Sequence, residues 1–326
     1  MQRALLAPDS FKGTLEAGEV AEALARGFEA ADWEADRCPL ADGGEGTAAV
    51  LAATLGGAEV RTRTTDPLGR SLDAAWTLLG DGETAVVEVA EASGLGLLGH
   101  HERDPRVAST YGTGVLIASA ASRARRVLVA VGGSGTNDGG RGALTAIREA
   151  GGIGSAELIC LCDVETAWED ASGTFGPQKG ADEAAVTELE RRLDELAADL
   201  PRDPRGVAMT GAAGGLSGGL WASLGAELRP GAAYVCDALG VNGRIPAADL
   251  VVGGEGQLDR TTLEGKVLAE LASRCASARK PLVAVVGRDD SDPELCSSLG
   301  LIEVLEARDQ AALTRAARDL AARRAP

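Results

Sequence analysis

Two rhythms of apolar and polar residues alternate along the chain. Short apolar runs at 3–7, 127–131, 157–162, 249–253, 282–286 and 301–305 predict strands. Leu250-Val251-Val252 and Leu282-Val283-Ala284-Val285-Val286 are apolar without interruption, as parallel strands covered on both faces are. Between such runs, apolar residues about four apart predict helices. Val20, Leu24 and Phe28 make one stripe, and Val186, Leu189, Leu193 and Leu196 make another, with Asp182 as its N-cap. Further helices are expected over 109–124, 139–150, 212–224 and 309–324. Residues 57–91 break the rhythm: Glu59–Thr65, Leu72–Leu79 and Thr84–Ala90 read as three successive strands joined by Asp-Pro-Leu-Gly and Gly-Asp-Gly turns. This triplet marks a second domain, and Pro201-Arg202-Asp203-Pro204 marks the return from it. The expectation is an α/β protein with a discontinuous domain over 1–56 and 206–326 and an inserted domain over 57–205.

A length of 326 residues suits two domains. The net charge of −17 argues against a nucleic-acid or anionic-membrane partner. The arginines at 123, 125 and 126, at 191 and 192, and at 323 and 324 read as solvated helix faces. No apolar stretch reaches the roughly 18 residues of a membrane span, and the N-terminus does not resemble a signal peptide. Six cysteines without a Cys-x-x-Cys pair read as reduced core residues, so a cytoplasmic location is expected. Only two histidines, His100 and His101, are present, which leaves little room for a His-based triad or a multi-His metal site.

Glycine makes up 44 residues, about twice its usual share, and gathers where strand-like runs end. Gly132-Gly133-Ser134-Gly135-Thr136-Asn137-Asp138-Gly139-Gly140 follows one strand and precedes a helix, so its amides and hydroxyls could hold a phosphate or carboxylate. An ordinary strand-helix turn with Asp138 as a cap explains it about as well. Similar bends occur at Asp9-Ser10-Phe11-Lys12-Gly13, at Asp42-Gly43-Gly44-Glu45-Gly46 and at Gly253–Thr262, each with an acid. In open α/β sheets such bends line the ligand crevice. Lys179, between a proline and a glycine, is either a cation held toward a pocket or, taken singly, a surface lysine. Gly94–Gly99 matches G-x-G-x-x-G but runs into His-His-Glu-Arg rather than a helix, and Gly265-Lys266 lacks the rest of a P-loop.

Together these stretches resemble the bacterial glycerate kinases whose chains begin near APDSFKG. The matching motifs are APDSFKGTL (7–15), LADGGEGT (40–47), TTDPLGR (64–70), EVAEASGL (88–95), STYGTG (109–114), VGGSGTNDGG (131–140), CDV (162–164), FGPQKGA (175–181), GAAGGL (211–216) and GGEGQLDRTTLEGK (253–266). The resemblance implies phosphorylation of D-glycerate by ATP and Mg²⁺, giving 2-phosphoglycerate in the branch this chain looks closest to. It also implies a discontinuous flavodoxin-like domain, an inserted restriction-endonuclease-like domain and a cleft between them. The chain departs from the family in a shortened stretch between Gly140 and Asp163, in Glu165-Thr166-Ala167-Trp168, in Val115 and in Thr261-Thr262. Alternatives are a kinase of another small hydroxy acid and a non-catalytic ligand-binding relative.

Phosphoryl transfer asks a protein to position reactants and neutralise charge. Gly132, Gly133, Ser134, Gly135 and Thr136 are accordingly expected at the phosphates, with Asn137, Ser10, Glu255 and Asp259 as further nucleotide contacts. Lys12 and Lys179 are expected to counter phosphate or carboxylate charge. Asp42 and Glu45 would reach Mg²⁺ through water. Asp163 or Asp138 would take the proton of the glycerate hydroxyl.

Overall fold

The computed structural model describes residues 1–263 and 265–324. Glu264, within the GGEGQLDRTTLEGK motif, and the last two residues of the expected 206–326 segment lie outside the described residues. In chain order the main elements are β1 (Arg3–Pro8), α1 (Ala17–Glu29), β2 (Glu34–Arg37), α2 (Thr47–Leu55), β3 (Gly57–Thr65), β4 (Ser71–Leu79), β5 (Thr84–Glu88), α3 (Tyr111–Ala121), β6 (Arg126–Ala130), α4 (Arg141–Glu149) and β7 (Glu157–Cys162). They continue with α5 (Glu183–Asp199), α6 (Leu216–Leu224), β8 (Glu227–Pro230), β9 (Leu250–Leu258), α7 (Val267–Ala278), β10 (Leu282–Asp289), β11 (Leu301–Glu306) and α8 (Gln310–Arg323).

The chain forms two compact α/β units, Met1–Asp42 with the segment from Ala232 onward, and Gly43–Gly231. These boundaries differ from the expected ones at both crossings. Residues 43–56 join the inserted unit because α2 buries Val50 and Leu51 and packs on β4 and β5. Residues 206–231 join it because α6 packs on α4 and β8 pairs in parallel with β7. The prolines at 201 and 204 therefore lie inside the inserted unit, and the chain leaves it after Gly231.

The first unit holds a five-stranded sheet in the order β11-β10-β9-β1-β2, with every pairing parallel. Counted within the unit this is strand order 2-1-3-4-5, the flavodoxin-like arrangement. The predicted stripe of α1 is fully buried: Val20, Leu24 and Phe28 pack with Leu313, Ala317 and Leu320 of α8. Each such buried side chain contributes about 1.5–3 kcal/mol. The two helices meet closely at Gly27, where a Cβ would lie 2.6 Å from that of Ala317.

The inserted unit holds a mixed six-stranded sheet, β3-β4-β5-β6-β7-β8. The predicted triplet supplies its antiparallel half, β3 to β5, and β5 continues into parallel pairings with β6, β7 and β8. The shortened stretch after Gly140 retains a complete crossover: α4 leads through Gly151, Gly152 and Gly154, all at positive φ, into β7, which pairs with β6 over its length. Trp168, within another departure from the family pattern, is fully buried against Ala171, Leu193 and Ala197, and its indole N–H donates to Leu193 O at 3.0 Å. Both departures are thus accommodated by an intact core.

Candidate functional site

In the first unit, candidate residues gather where β1 and β9 end. The chain runs from β1 to β2 on one side and returns through β9 on the other, so this is the topological switch point of the sheet, where open α/β proteins place ligands. A cavity of about 500 Å³ lies there, lined by Asp9, Ser10, Lys12, Asp42, Glu255, Asp259 and Lys266 among others. Three of its acids are buried: Asp9 at 7% exposure, Asp42 at 4% and Glu255 at 5%. Lys12 Nζ stands 3.2 Å from Asp42 Oδ2. Lys266 Nζ stands 3.4 Å from Glu255 Oε2, and the Thr262 hydroxyl donates to Glu255 Oε1 at 2.7 Å. Asp9 accepts from the Ser10 amide at 2.6 Å. Burial, and then the charge of Asp42, push the Asp9 carboxyl up to about 7. Burial also raises Glu255 above the usual carboxylate range. Asp259 is held below that range by the Thr261 hydroxyl and amide, which both donate to its Oδ1.

In the inserted unit, the glycine-rich loop between β6 and α4 gathers a second set. Lys179 sits on a short 3₁₀ turn, Pro177–Lys179, and is 2% exposed, so the surface-lysine reading does not hold. Its Nζ donates to Ser134 Oγ at 2.9 Å and to the Thr136 carbonyl at 2.7 Å. Burial pulls the ammonium down to about 8, opposed by the nearby carboxylates of Asp163 and Asp138. Gly132 must be glycine: a Cβ there would lie 2.6 Å from the Gly44 Cα and 3.0 Å from Asp163 Oδ2. The half-buried Asp163 carboxylate, just past the end of β7, is thereby placed against the loop backbone. The Thr136 hydroxyl and Asn137 Oδ1 are buried without a partner, an arrangement that costs roughly 1–3 kcal/mol for each group left unanswered.

Two expectations change here. The loop is not an open amide nest at a helix N-terminus. The Gly132 amide donates to Gly43 O and the Gly135 amide to Ser93 O, and α4 begins only at Arg141. Two of the four expected amides are thus engaged within the protein, and the buried Lys179 stands beside the loop through Ser134 and Thr136. Asp138, one of two acids expected as a base, is surrounded by donors: the Thr110 amide and hydroxyl, and the amides of Gly140 and Gly142, all at 2.9–3.1 Å. It ties the start of α3 to the start of α4, and a carboxylate so engaged has little capacity left for a substrate proton. Burial raises its pKa against those hydrogen bonds.

The two residues expected at the metal differ in burial. Asp42 is buried beside Lys12, whereas Glu45 is exposed. Among the described residues no group of three or more His, Cys, Asp and Glu could hold a metal ion. Arg191 and Arg192 pair with Glu195 and Glu188 along one face of α5, as expected of a solvated helix. Sequence reading gave no separate role to Asp9 or Lys266, although Asp9 follows a strand directly and so carried a positional signal. It also passed over Glu88, which is buried at the end of β5 and accepts from the Ala48 amide at 2.7 Å, capping α2.

Comparison with known proteins places these features in context. The model of the glycerate kinase family matches residues 4–150 and 149–324. The chain is 37% identical to the glycerate 2-kinase of Escherichia coli (strain K12), covering 87% of this chain and 84% of that protein. It is 34% identical to the glycerate kinase of Bacillus subtilis (strain 168), covering 98% and 96%. A crystal structure named "putative glycerate kinase 2", from Salmonella typhimurium LT2, superposes with a TM-score of 0.84 at 32% identity, covering 99% of this chain and 98% of that one.

Proposed function

Because this chain belongs to the glycerate kinase family, we propose that it phosphorylates D-glycerate at the 2-hydroxyl, with ATP as donor and Mg²⁺ as counter-ion. It is an enzyme, a glycerate kinase acting on a small-molecule substrate. The observation that carries the finer reading is Lys179. Two of the three hydrogens of its buried ammonium go to Ser134 and Thr136, the ammonium lies 5.8 Å from the centre of the Phe175 ring, and among the described residues no third hydrogen-bond acceptor is found. A buried cation with an unanswered N–H suits a phosphate oxygen.

ATP supplies the phosphoryl group when bound, and Mg²⁺ neutralises phosphate charge. Mg²⁺ keeps most of its waters and needs only one or two protein carboxylates, so the absence of a three-acid cluster does not oppose it. Asp42 offers a carboxylate to an ion reached through water, with Lys12 beside one of its oxygens, and the exposed Glu45 is open to the same kind of contact. Lys179 and Ser134 hold phosphate oxygens, and Lys12 adds positive charge beside Asp42. Asp163 takes the hydroxyl proton, because Asp138 is saturated by donors from its own unit. Residues of both units are assigned to the one reaction.

A cytoplasmic location is part of this reading. Among the described residues no helix is long and apolar enough to cross a membrane, and the net charge of −17 supports the absence of a nucleic-acid partner. An ADP-release assay with D-glycerate, L-glycerate and related hydroxy acids tests the substrate. Turnover confined to D-glycerate supports the reading, and turnover preferring another hydroxy acid overturns it. Coupling to enolase distinguishes the product, because enolase consumes 2-phosphoglycerate and not the 3-phosphate.

A further inference from the structure

We propose that the cavity of the first unit seats the acceptor, and that Asp9 recognises it by accepting a hydrogen bond from a hydroxyl of a small hydroxy carboxylic acid. The inference rests on the phosphoryl-transfer reading and adds where the acceptor binds and what selects it.

The three buried acids of this cavity differ in how they are answered. Asp42 has Lys12, and Glu255 has Lys266 and the Thr262 hydroxyl. Asp9 accepts one hydrogen bond, from the amide of the next residue on Oδ1, and feels the charge of Lys12. Its other oxygen receives no hydrogen bond from any described residue, yet the side chain is more than nine-tenths buried and lines the cavity. That oxygen keeps some exposure where Asp9 lines the cavity, so a hydroxyl of a ligand can donate to it there. Its position at the β1–β9 switch point is an independent indication of a ligand there.

The chemistry of the lining selects the ligand class. Hydroxyl groups donate to carboxylates, so Asp9 suits an alcohol. The carboxylate of the same ligand is suited by Lys266, which is 30% exposed, or by Lys12. Arg288 and Arg308 also line the cavity, but each faces an acid of its own, Asp290 and Glu306. Asp9, Asp42 and Glu255 repel a bare triphosphate, so the nucleotide's phosphates would approach this place only through the Mg²⁺ assigned to Asp42, which leaves Asp9 to the acceptor. Ser10, Glu255 and Asp259, expected from the sequence as nucleotide contacts, are reassigned to the acceptor by the same argument.

The test is steady-state kinetics of the full chain with Asp9→Asn and Asp9→Glu beside wild type. At about pH 8, above the value of about 7 to which the Asp9 carboxyl is pushed, Asp9→Asn should raise KM for D-glycerate about 10- to 100-fold, as loss of a charged hydrogen-bond acceptor implies. KM for ATP and the Mg²⁺ activation constant should stay within about twofold, judged against the same energy scale. Asp9→Glu should recover part of the glycerate affinity. Calorimetric titration of wild type with D-glycerate, D-lactate and 3-hydroxypropionate gives a second arm that does not depend on the variants folding. The analogue lacking the recognised hydroxyl should bind weaker than D-glycerate by a similar factor, and Asp9→Asn should not distinguish the two. An unchanged glycerate KM, a shift in ATP KM or Mg²⁺ requirement instead, or equal binding of all three acids to wild type would overturn the assignment. Failure of the phosphoryl-transfer reading looks different: wild type would release no ADP with any hydroxy acid, while calorimetry still reports whether the cavity holds one.

Discussion

The two units place their functional charge in opposite ways. The first lines a cavity with buried carboxylates and keeps its cations nearer to solvent: Asp42 is almost inaccessible while the Lys12 beside it is 68% exposed. The inserted unit buries the cation instead, locking Lys179 between a hydroxyl and a carbonyl oxygen. A wall of acceptors is suited to hydroxyl donors, and a buried donor is suited to an anion. On the proposed reading, this contrast assigns the alcohol to one unit and the phosphate to the other.

Substitutions in the inserted unit give the largest expected effects. Asp163→Asn should lower kcat by roughly 10²–10⁴ with little change in thermal midpoint, as removal of a required base does. Near-normal turnover in steady state would remove Asp163 from the mechanism. Lys179→Met should lower kcat by roughly 10²–10³, the scale of losing one fixed donor to developing charge. It should not lower the melting temperature, because burying the ammonium is unfavourable. A large loss of stability with kcat intact would make Lys179 structural and dissolve the contrast between the units.

The pH dependence sharpens the same point. Lys179 is pulled from 10.5 down to about 8, so an activity needing its charge should fall above about pH 8, and that limb should vanish in Lys179→Met. The stability effect has the opposite sense. Between about pH 8 and 10.5 the unfolded chain binds the proton that the folded one has released, so this group's penalty is full below 8 and eases as pH rises. Comparing melts of wild type and Lys179→Met across that window checks the sign.

Smaller effects mark the supporting residues. Asp138→Asn should cost roughly 1–3 kcal/mol of stability, since its carboxylate answers donors of Thr110, Gly140 and Gly142. Its kcat per folded molecule should fall far less than that of Asp163→Asn. The reverse order would exchange their roles. Glu88→Ala, which uncaps α2, should lower stability by about 1 kcal/mol, read from denaturant melts.

The strands missing from the sequence reading share one feature. β2, Glu34-Ala35-Asp36-Arg37, and β8, Glu227-Leu228-Arg229-Pro230, are four-residue edge strands with charged or proline positions and no apolar run. Edges carry such residues because one side of the strand has no neighbour. Their pairing partners also set where the units divide: β8 draws residues 206–231 into the inserted unit. The central strands were legible because burial on both faces demands continuous apolar residues.

Sequence alone determined the elements that must bury an apolar face, the interruption of the β-α rhythm and the loops where chemistry gathers, since these depend on residue spacing within a few turns. Tertiary structure decided which groups in those loops have partners. Only the folded chain sets Ser134 and Thr136 against Lys179, gives the Gly132 and Gly135 amides to Gly43 and Ser93, and leaves one oxygen of Asp9 without a hydrogen bond. Hydrogen bonding and desolvation act over a few ångströms in space, between residues that can be forty or more positions apart in the chain.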